Sequence, residues 1–414
     1  MKVGMIAIGD ELLIGQVTDI NSGEVARAIE PLGWALGEVR IVHDEEEAIR
    51  SAIADMLERY PVVLTTGGLG PTRDDITKRV MMEFFGGELV ENKQVLKAVT
   101  EWFDKRLIPM NRLTATQAMV PSSCSVIVNE VGTAPVMVFE RDGRMLVAMP
   151  GVPFEAQYAM KFNVIPLLKE KIKERNELMR ETLIVTGISE SAMAEELEEV
   201  EDALPEEAHL AYLPQPGYIK LRVDCRYGNG EHHDEARALV DATVGKICDK
   251  LGKKVLAKGD KSLAQIVMDR LKAKGMTMGA AESCTGGNIA HTMTLLPGVS
   301  DVFAGSVTSY SNQVKMNVLG VKADTLERLG AVSEPVVEEM ADGARSLLGV
   351  DFAVAVSGIA GPGGGSEEKP VGTVCMAVST PEVTESRTYW LPGNRSNFIE
   401  RATAEALKFL LEYL

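Results

Sequence analysis

Val62-Val63-Leu64-Thr65-Thr66-Gly67-Gly68-Leu69-Gly70-Pro71-Thr72-Arg73-Asp74-Asp75-Ile76-Thr77 is the stretch on which the reading of this chain turns. A short apolar, β-branched run stops abruptly at three glycines and a proline, as a buried strand does where it is released into a loop. Upstream, Val3 to Ile8 reads as another apolar strand, ending at Gly9-Asp10-Glu11. Between the two, the spacing predicts a helix over about Asn21 to Leu32, a strand over Leu36 to Val42 and a helix over Glu45 to Arg59. This β-α-β-α-β alternation implies an α/β fold with a mainly parallel sheet and helices on both faces. Ligands bind beyond the carboxyl ends of strands in such sheets, and both glycine-containing turns fall there.

The loop after Thr66 can do chemistry. Gly67, Gly68 and Gly70 allow positive φ and close approach of the backbone, so successive N–H groups can form a nest for phosphate, with Thr72 beside it. Asp74 and Asp75, with Asp10 converging from the first strand, are candidate ligands for a divalent cation bridging phosphate oxygens. The same residues also suit a plain glycine turn with acidic helix-capping residues. Pro150-Gly151-Val152-Pro153 reads as a rigid turn into a helix, and Glu155 as a helix-start carboxylate or a site residue.

A second decisive stretch is Ala281-Glu282-Ser283-Cys284-Thr285-Gly286-Gly287. Ser262 is placed to cap a helix whose apolar positions Leu263, Ile266, Val267 and Leu271 precede a stop at Gly275, and Met276 to Ala281 then reads as a buried strand. Ser283 stands where that strand hands over to a helix, with N–H groups of the next turn expected to be unpaired. It is either a cap or a nucleophile beside an oxyanion site formed with Thr285, Gly286 and Gly287. Of the five histidines, the nearest, His291, lies eight residues on in the same helical stretch, about 12 Å along the axis. A Ser-His-Asp triad is therefore disfavoured. Downstream, Gly305-Ser306-Val307-Thr308-Ser309-Tyr310 alternates like a strand, and a helix is expected from Asn312, carrying Lys315 in its first turns. A desolvated lysine can serve as the base, which makes Ser283, Tyr310 and Lys315 a candidate catalytic group. A solvated lysine and a packing tyrosine are the plainer alternatives.

These motifs, with Ser357-Gly358-Ile359-Ala360-Gly361-Pro362-Gly363-Gly364-Gly365 and Lys369-Pro370-Val371-Gly372-Thr373-Val374, resemble the nicotinamide-nucleotide amidase domain of the CinA family. Gly9-Asp10-Glu11-Leu12-Leu13-Ile14-Gly15, Asp19-Ile20-Asn21, the Thr65–Asp75 stretch and Met149-Pro150-Gly151-Val152-Pro153-Phe154-Glu155 resemble its N-terminal domain, similar in fold to molybdopterin-binding proteins. The resemblance implies three parts: residues 1–170 as a three-layer α/β/α domain, 171–255 as a small α+β KH-like domain, and 256–414 as an α/β amidase domain. It implies deamidation of nicotinamide mononucleotide (NMN) by Ser283, Tyr310 and Lys315 without a cofactor. Ser357, Gly358, Gly361, Gly364 and Arg395 would bind the substrate. It further implies cleavage of the ADP-ribose diphosphate by the N-terminal domain with a divalent metal (Mg, Mn or Co) at Asp10, Asp74 and Asp75, and a homodimer. The alternative is a non-catalytic nucleotide- or pterin-binding regulatory protein linked to competence or DNA damage.

Between about Phe154 and Arg180 an amphipathic helix is expected, with Lys169, Lys171, Lys173 and Arg175 on a solvated face. Strands at Thr182 to Ile188 and Tyr218 to Tyr227, and helices at Ser191 to Val200 and Glu235 to Leu251, would make the middle module. It has no G-x-x-G loop and carries Glu195, Glu196, Glu198, Glu199, Glu201 and Asp202, so RNA is not its expected ligand. Over all 414 residues the net charge of −17 argues against nucleic-acid and anionic-membrane partners. No apolar run approaches the ~20 residues of a membrane span. Five scattered cysteines without a CxxC pair suggest a reduced, cytoplasmic protein without structural zinc. Cys284 is expected to face away from the site that Ser283 faces.

Overall fold

The structure is a computed structural model that describes residues 1–72, 74–172, 176–228 and 232–414. Arg73, Lys173 and Arg175, named above, lie outside the described residues. The chain forms two compact units, 1–179 with 225–238, and 180–224 with 239–414.

In the first unit a six-stranded sheet is built around strands Lys2–Ile8, Val62–Thr66 and Arg144–Met149, which run parallel, with Ala35–Val42 parallel on the outer side of Lys2–Ile8. Val136–Arg141 and Ser125–Ile127 extend the other edge antiparallel. Alternation along the central strands feeds two cores. Val3, Met5, Val62 and Leu64 face Val25, Ile29 and Leu168 on one side, and Ile6, Ile8 and Val63 face Ile49, Ile53 and Met56 on the other. Helices Asn21–Ile29 and Glu46–Arg59 thus cover opposite faces, as the alternation of elements in the sequence implies.

In the second unit a five-stranded sheet places Met278–Glu282 between parallel neighbours Phe303–Thr308 and Phe352–Gly358, with Thr373–Ser379 and Thr384–Trp390 antiparallel beyond the latter. Helices Leu263–Lys274 and Arg395–Leu411 pack on one face through Ile266, Leu271, Phe398 and Leu407. Helix Glu334–Leu348 packs on the other through Val337, Met340 and Ala344.

The middle segment departs from the sequence expectation. The helix that starts at Pro153 contains a π turn at Met160–Val164 and ends at Lys171, and Arg180 lies in the strand Asn176–Val185. A strand not foreseen, Ala208–Gln215, is followed by Tyr218–Gly228, in a sheet ordered Ala208–Gln215, Tyr218–Gly228, Asn176–Val185, Val255–Lys258. Helix Glu190–Asp202 carries the acidic run, of which Glu196 pairs with Lys254 and Glu199 with Lys250. Among the described residues no helix is long and apolar enough to cross a membrane.

Candidate functional site

In the second unit the strand Met278–Glu282 ends on Glu282, a carboxylate with no exposed surface. A buried charge must be matched, and here five donors do it. One oxygen accepts from Thr285 Oγ1 (2.8 Å) and the N–H groups of Gly287 (3.0 Å) and Ile289 (2.9 Å), the other from Ala290 N–H and Ser306 Oγ (both 2.9 Å). The N–H groups expected to await an oxyanion are therefore already taken at Gly287, Ile289 and Ala290. Those of Cys284 and Thr285 remain, with no backbone acceptor among the described residues. Gly286 and Gly287 take φ of 63° and 101°, which lets the chain double back over Glu282.

The stapled turn presents Ser283. Its Oγ lies 2.9 Å from Lys315 Nζ, which also donates to Ser309 O at 2.6 Å. Lys315 is 1 % exposed although it sits in the first turn of helix Asn312–Leu319. Burial lowers the pKa of its ammonium from the ordinary lysine value. A neutral amine has two N–H bonds and one lone pair, and with Ser309 O accepting one N–H the lone pair can face the serine hydroxyl. Cys284 lines the same cavity, contrary to the expectation that it turns away, but burial pushes its thiol up to about 12, so it is no rival nucleophile.

The cavity has a volume of about 260 Å³ and is walled by Ala331, Val332, Ser357, Gly358 and Ala360. Tyr310 is 63 % exposed at its rim, and its hydroxyl accepts from Arg395 Nη2 at 2.8 Å. The structure brings Tyr310 to the cavity but not into the Ser283–Lys315 pair. Arg395 is the first residue of a helix capped by Asn394, not a loop residue, and its other terminal nitrogen donates to Gly361 O at 2.9 Å. Ser357 is buried and turns its Oγ to Ala331 O at 2.7 Å, so it braces the wall. Thr285 is likewise spent on Glu282. Gly364 is exposed and outside the lining.

The first unit has a cleft of about 450 Å³ beyond the carboxyl ends of its parallel strands, lined by Gly67, Gly68 and Gly70 as expected. A Cβ on Gly67 would lie 2.0 Å from Ile8 O, and one on Gly68 2.0 Å from Thr77 Oγ1, so this loop tolerates no side chain at either position. Asp75 accepts from Gly70 N–H (2.7 Å), Thr72 N–H (2.9 Å) and Thr72 Oγ1, which fixes the loop and draws Thr72 away from the cleft lining. Asp10 turns to His43 Nδ1 at 2.8 Å, and Asp74 lines the cleft. Asp10, Asp74 and Asp75 are thus not gathered on one point, and no group of three His, Cys, Asp or Glu is placed to hold a metal among the described residues.

Asp44, which sequence reasoning missed, is a further acidic residue beside the glycine loop, at Gly68, while Asp75 is bound to the loop at Gly70. Asp44 accepts from Asp10 N–H at 3.1 Å, and its Oδ1 lies 3.4 Å from where a Gly68 Cβ would stand. Burial raises its carboxyl, and the charges of Asp10, Glu11 and Asp75 add to the rise. Its signal was position, two residues past a parallel strand. Glu11, Asp19, Asp44, Asp74, Asp75 and Glu155 give the cleft hard oxygen donors and no lysine or arginine among its described lining residues. That donor chemistry fits a divalent cation better than a bare anion. Glu155 is held by Asn129 Nδ2 at 2.6 Å.

Residues 260–414 match the CinA C-terminal domain, 4–170 the probable molybdopterin binding domain, and 180–257 the damage-inducible protein CinA KH domain. A CinA-like protein of Flavobacterium psychrophilum is 36% identical over 99% of this chain and 98% of its own length. The chain belongs to the CinA family. A second CinA-like protein, from Cytophaga hutchinsonii, is 38% identical over 97% of this chain and 95% of that one. A crystal structure of the competence/damage inducible protein CihA from Agrobacterium tumefaciens aligns with 36% of this chain and 92% of its own at 38% identity, with a TM-score of 0.36. In this CinA-family chain the Ser283–Lys315 pair lies within the matched C-terminal domain, and the glycine cleft within the molybdopterin-binding-like domain.

Proposed function

We propose that the chain is a bifunctional pyridine-nucleotide hydrolase. Its C-terminal domain would convert NMN to nicotinic acid mononucleotide and ammonia, and its N-terminal domain would split the diphosphate of ADP-ribose. One observation carries the first half: a buried lysine 2.9 Å from a serine hydroxyl at the tip of a strand. Neutral Lys315 takes the Ser283 proton as Oγ bonds to the carboxamide carbon. The oxyanion forms beside the Cys284 and Thr285 N–H groups, which no backbone carbonyl occupies. Protonated Lys315 returns the proton to the departing nitrogen, and ammonia leaves a serine ester. Water then gives a proton to Lys315, attacks the ester and releases the carboxylate, and the proton passes back to Ser283. Arg395 and Tyr310, at the rim, are suited to the phosphate of the nucleotide.

In the N-terminal cleft no three carboxylates are gathered on one point among the described residues, so a divalent cation would be held by Asp44 or Asp74 of the lining together with the diphosphate itself. Such an ion supplies charge neutralisation at the diphosphate and a more acidic water when bound. The chain's own part is to cradle the phosphates on the Gly67–Gly70 backbone, kept in shape by Asp75. A cytoplasmic homodimer that uses no nucleic acid and no membrane is part of the same proposal.

The deciding experiment is ammonia release from NMN by the purified chain in EDTA, beside Ser283→Ala. Release by the wild type alone supports the serine amidase, and no release from folded wild type refutes it.

A further inference from the structure

We infer that Lys369 is a positioning residue of the amidase cavity, one that fixes the width of the slot in which the ring carrying the carboxamide must lie. The inference rests on the amidase reading. The cavity wall opposite the glycine-rich loop is the connection 330–333, between helices Ala323–Leu329 and Glu334–Leu348. Four successive carbonyls, from Leu329 to Val332, are there without helical partners, since Gly330 (φ 74°) breaks the helix. Each is captured. Lys369 Nζ donates to Leu329 O (2.9 Å) and to Val332 O (2.7 Å), Ser333 Oγ to Gly330 O (2.9 Å) and Ser357 Oγ to Ala331 O (2.7 Å).

The consequence is geometric. Ala331 and Val332 line the cavity with Ser283, and on the other side stand Gly358 and Ala360, from the loop that leads to Lys369. That loop is closed on itself where Lys369 N–H donates to Ser366 Oγ (3.0 Å) and Ser366 N–H to Lys369 O (2.9 Å). Lys369 therefore ties the connection 330–333 to the loop after Gly358, beside the Ser357 contact with Ala331 O, and it does so through an ammonium, whose bonds to carbonyls are stronger than neutral ones. The apolar Ala331, Val332 and Ala360 suit the faces of a flat ring, so the slot favours planar aromatic carboxamides over flexible aliphatic ones. Lys369 lies on no path of the proton between Ser283 and Lys315 and is not a catalytic residue.

The test compares wild type, Lys369→Met and Lys369→Arg, full length, for NMN turnover and for amide hydrogen exchange. The Met variant is expected to raise KM for NMN about tenfold with kcat within about threefold, because substrate positioning is lost and the base is not. Exchange should quicken over 329–333 while 278–282 stays protected. The Arg variant, which can reach two carbonyls, should recover most of the KM. A Met variant with unchanged KM and unchanged exchange at 329–333 overturns the inference, and so does an equal loss in the Arg variant. If the Met variant does not fold, the Arg variant decides alone: wild-type KM and exchange support the tie, a raised KM overturns it. Absence of ammonia release by wild type would sink the amidase reading instead, and the exchange measurement would still decide whether Lys369 holds the wall.

Discussion

Lys315 shows how a single residue changes character with its surroundings. On an exposed helix it would be a cation throughout the physiological range, but burial favours its neutral form and the Ser309 carbonyl orients what remains. Only the neutral amine can accept the serine proton. Amidase activity is therefore expected to fall as pH drops through the Lys315 value, which lies below 10.5, and to level off above it. Stability follows the same sign: between the depressed folded value and the unfolded one the unfolded chain holds the extra proton, so stability rises with pH. Lys315→Met is expected to reduce deamidation about 10³-fold, within the range for loss of a general base. A mutant with near-normal kcat, or one that keeps the acid limb of the wild type, would remove Lys315 from this role. The places of Ser283 at a strand end and Lys315 at a helix start were legible from periodicity, whereas their reading as a pair was what the family resemblance implied. The partner of the Tyr310 hydroxyl was not legible, since Arg395 lies 85 positions away and only the fold brings it there.

Elements are held at this site by side chains that do no chemistry. The turn 283–287 and the short helix Asn288–Thr294 hang on one carboxylate, Glu282. Glu282→Ala would leave the N–H groups of Gly287, Ile289 and Ala290 without acceptors, at roughly 1–3 kcal/mol each before relaxation and water entry. A loss on the order of 3–5 kcal/mol is expected in urea denaturation of the full chain, with amidase activity abolished. Glu282→Gln keeps one acceptor oxygen but turns an amide toward donors, so it should fall between the two. An unchanged denaturation midpoint for the Ala variant would show that the turn stands without the carboxylate. The signal for Glu282 was present, as a charge closing an apolar run, and the motif drew attention to the serine instead. Elsewhere the limits of reading elements were physical. The helix after Pro153 ends at Lys171 although lysine-rich amphipathic sequence continues toward Arg180, and such a run does not by itself mark where a strand begins. Ala208–Gln215 escaped notice because its sequence, Ala-His-Leu-Ala-Tyr-Leu-Pro-Gln, has no β-branched residue and carries a proline, which an edge strand tolerates.

At the scale of the whole molecule, the two candidate sites stand at the carboxyl ends of two separate sheets, each with its own core on both faces. The parallel sheet foreseen from the alternation of elements in the first unit places one site and the parallel strands Phe303–Thr308, Met278–Glu282 and Phe352–Gly358 the other, whereas the antiparallel strands Thr373–Ser379 and Thr384–Trp390 add width without adding chemistry. The two chemistries also make opposite demands. The proposed amidase cavity would work by desolvating a lysine, while the N-terminal cleft gathers carboxylates whose mutual repulsion a cation would relieve. If each site is complete within its own unit, the activities must separate. Ser283→Ala is expected to abolish ammonia release from NMN and leave ADP-ribose cleavage within about twofold of wild type, because each cavity is lined by residues of its own unit and the two share none. Asp44→Asn, or excess EDTA, is expected to do the reverse. Each variant should be assayed for both reactions in one preparation, with and without added Mg, Mn or Co. Loss of both activities in Ser283→Ala would mean one site serves both reactions, and EDTA-insensitive diphosphate cleavage would mean that the carboxylates of the first cleft act without a cation.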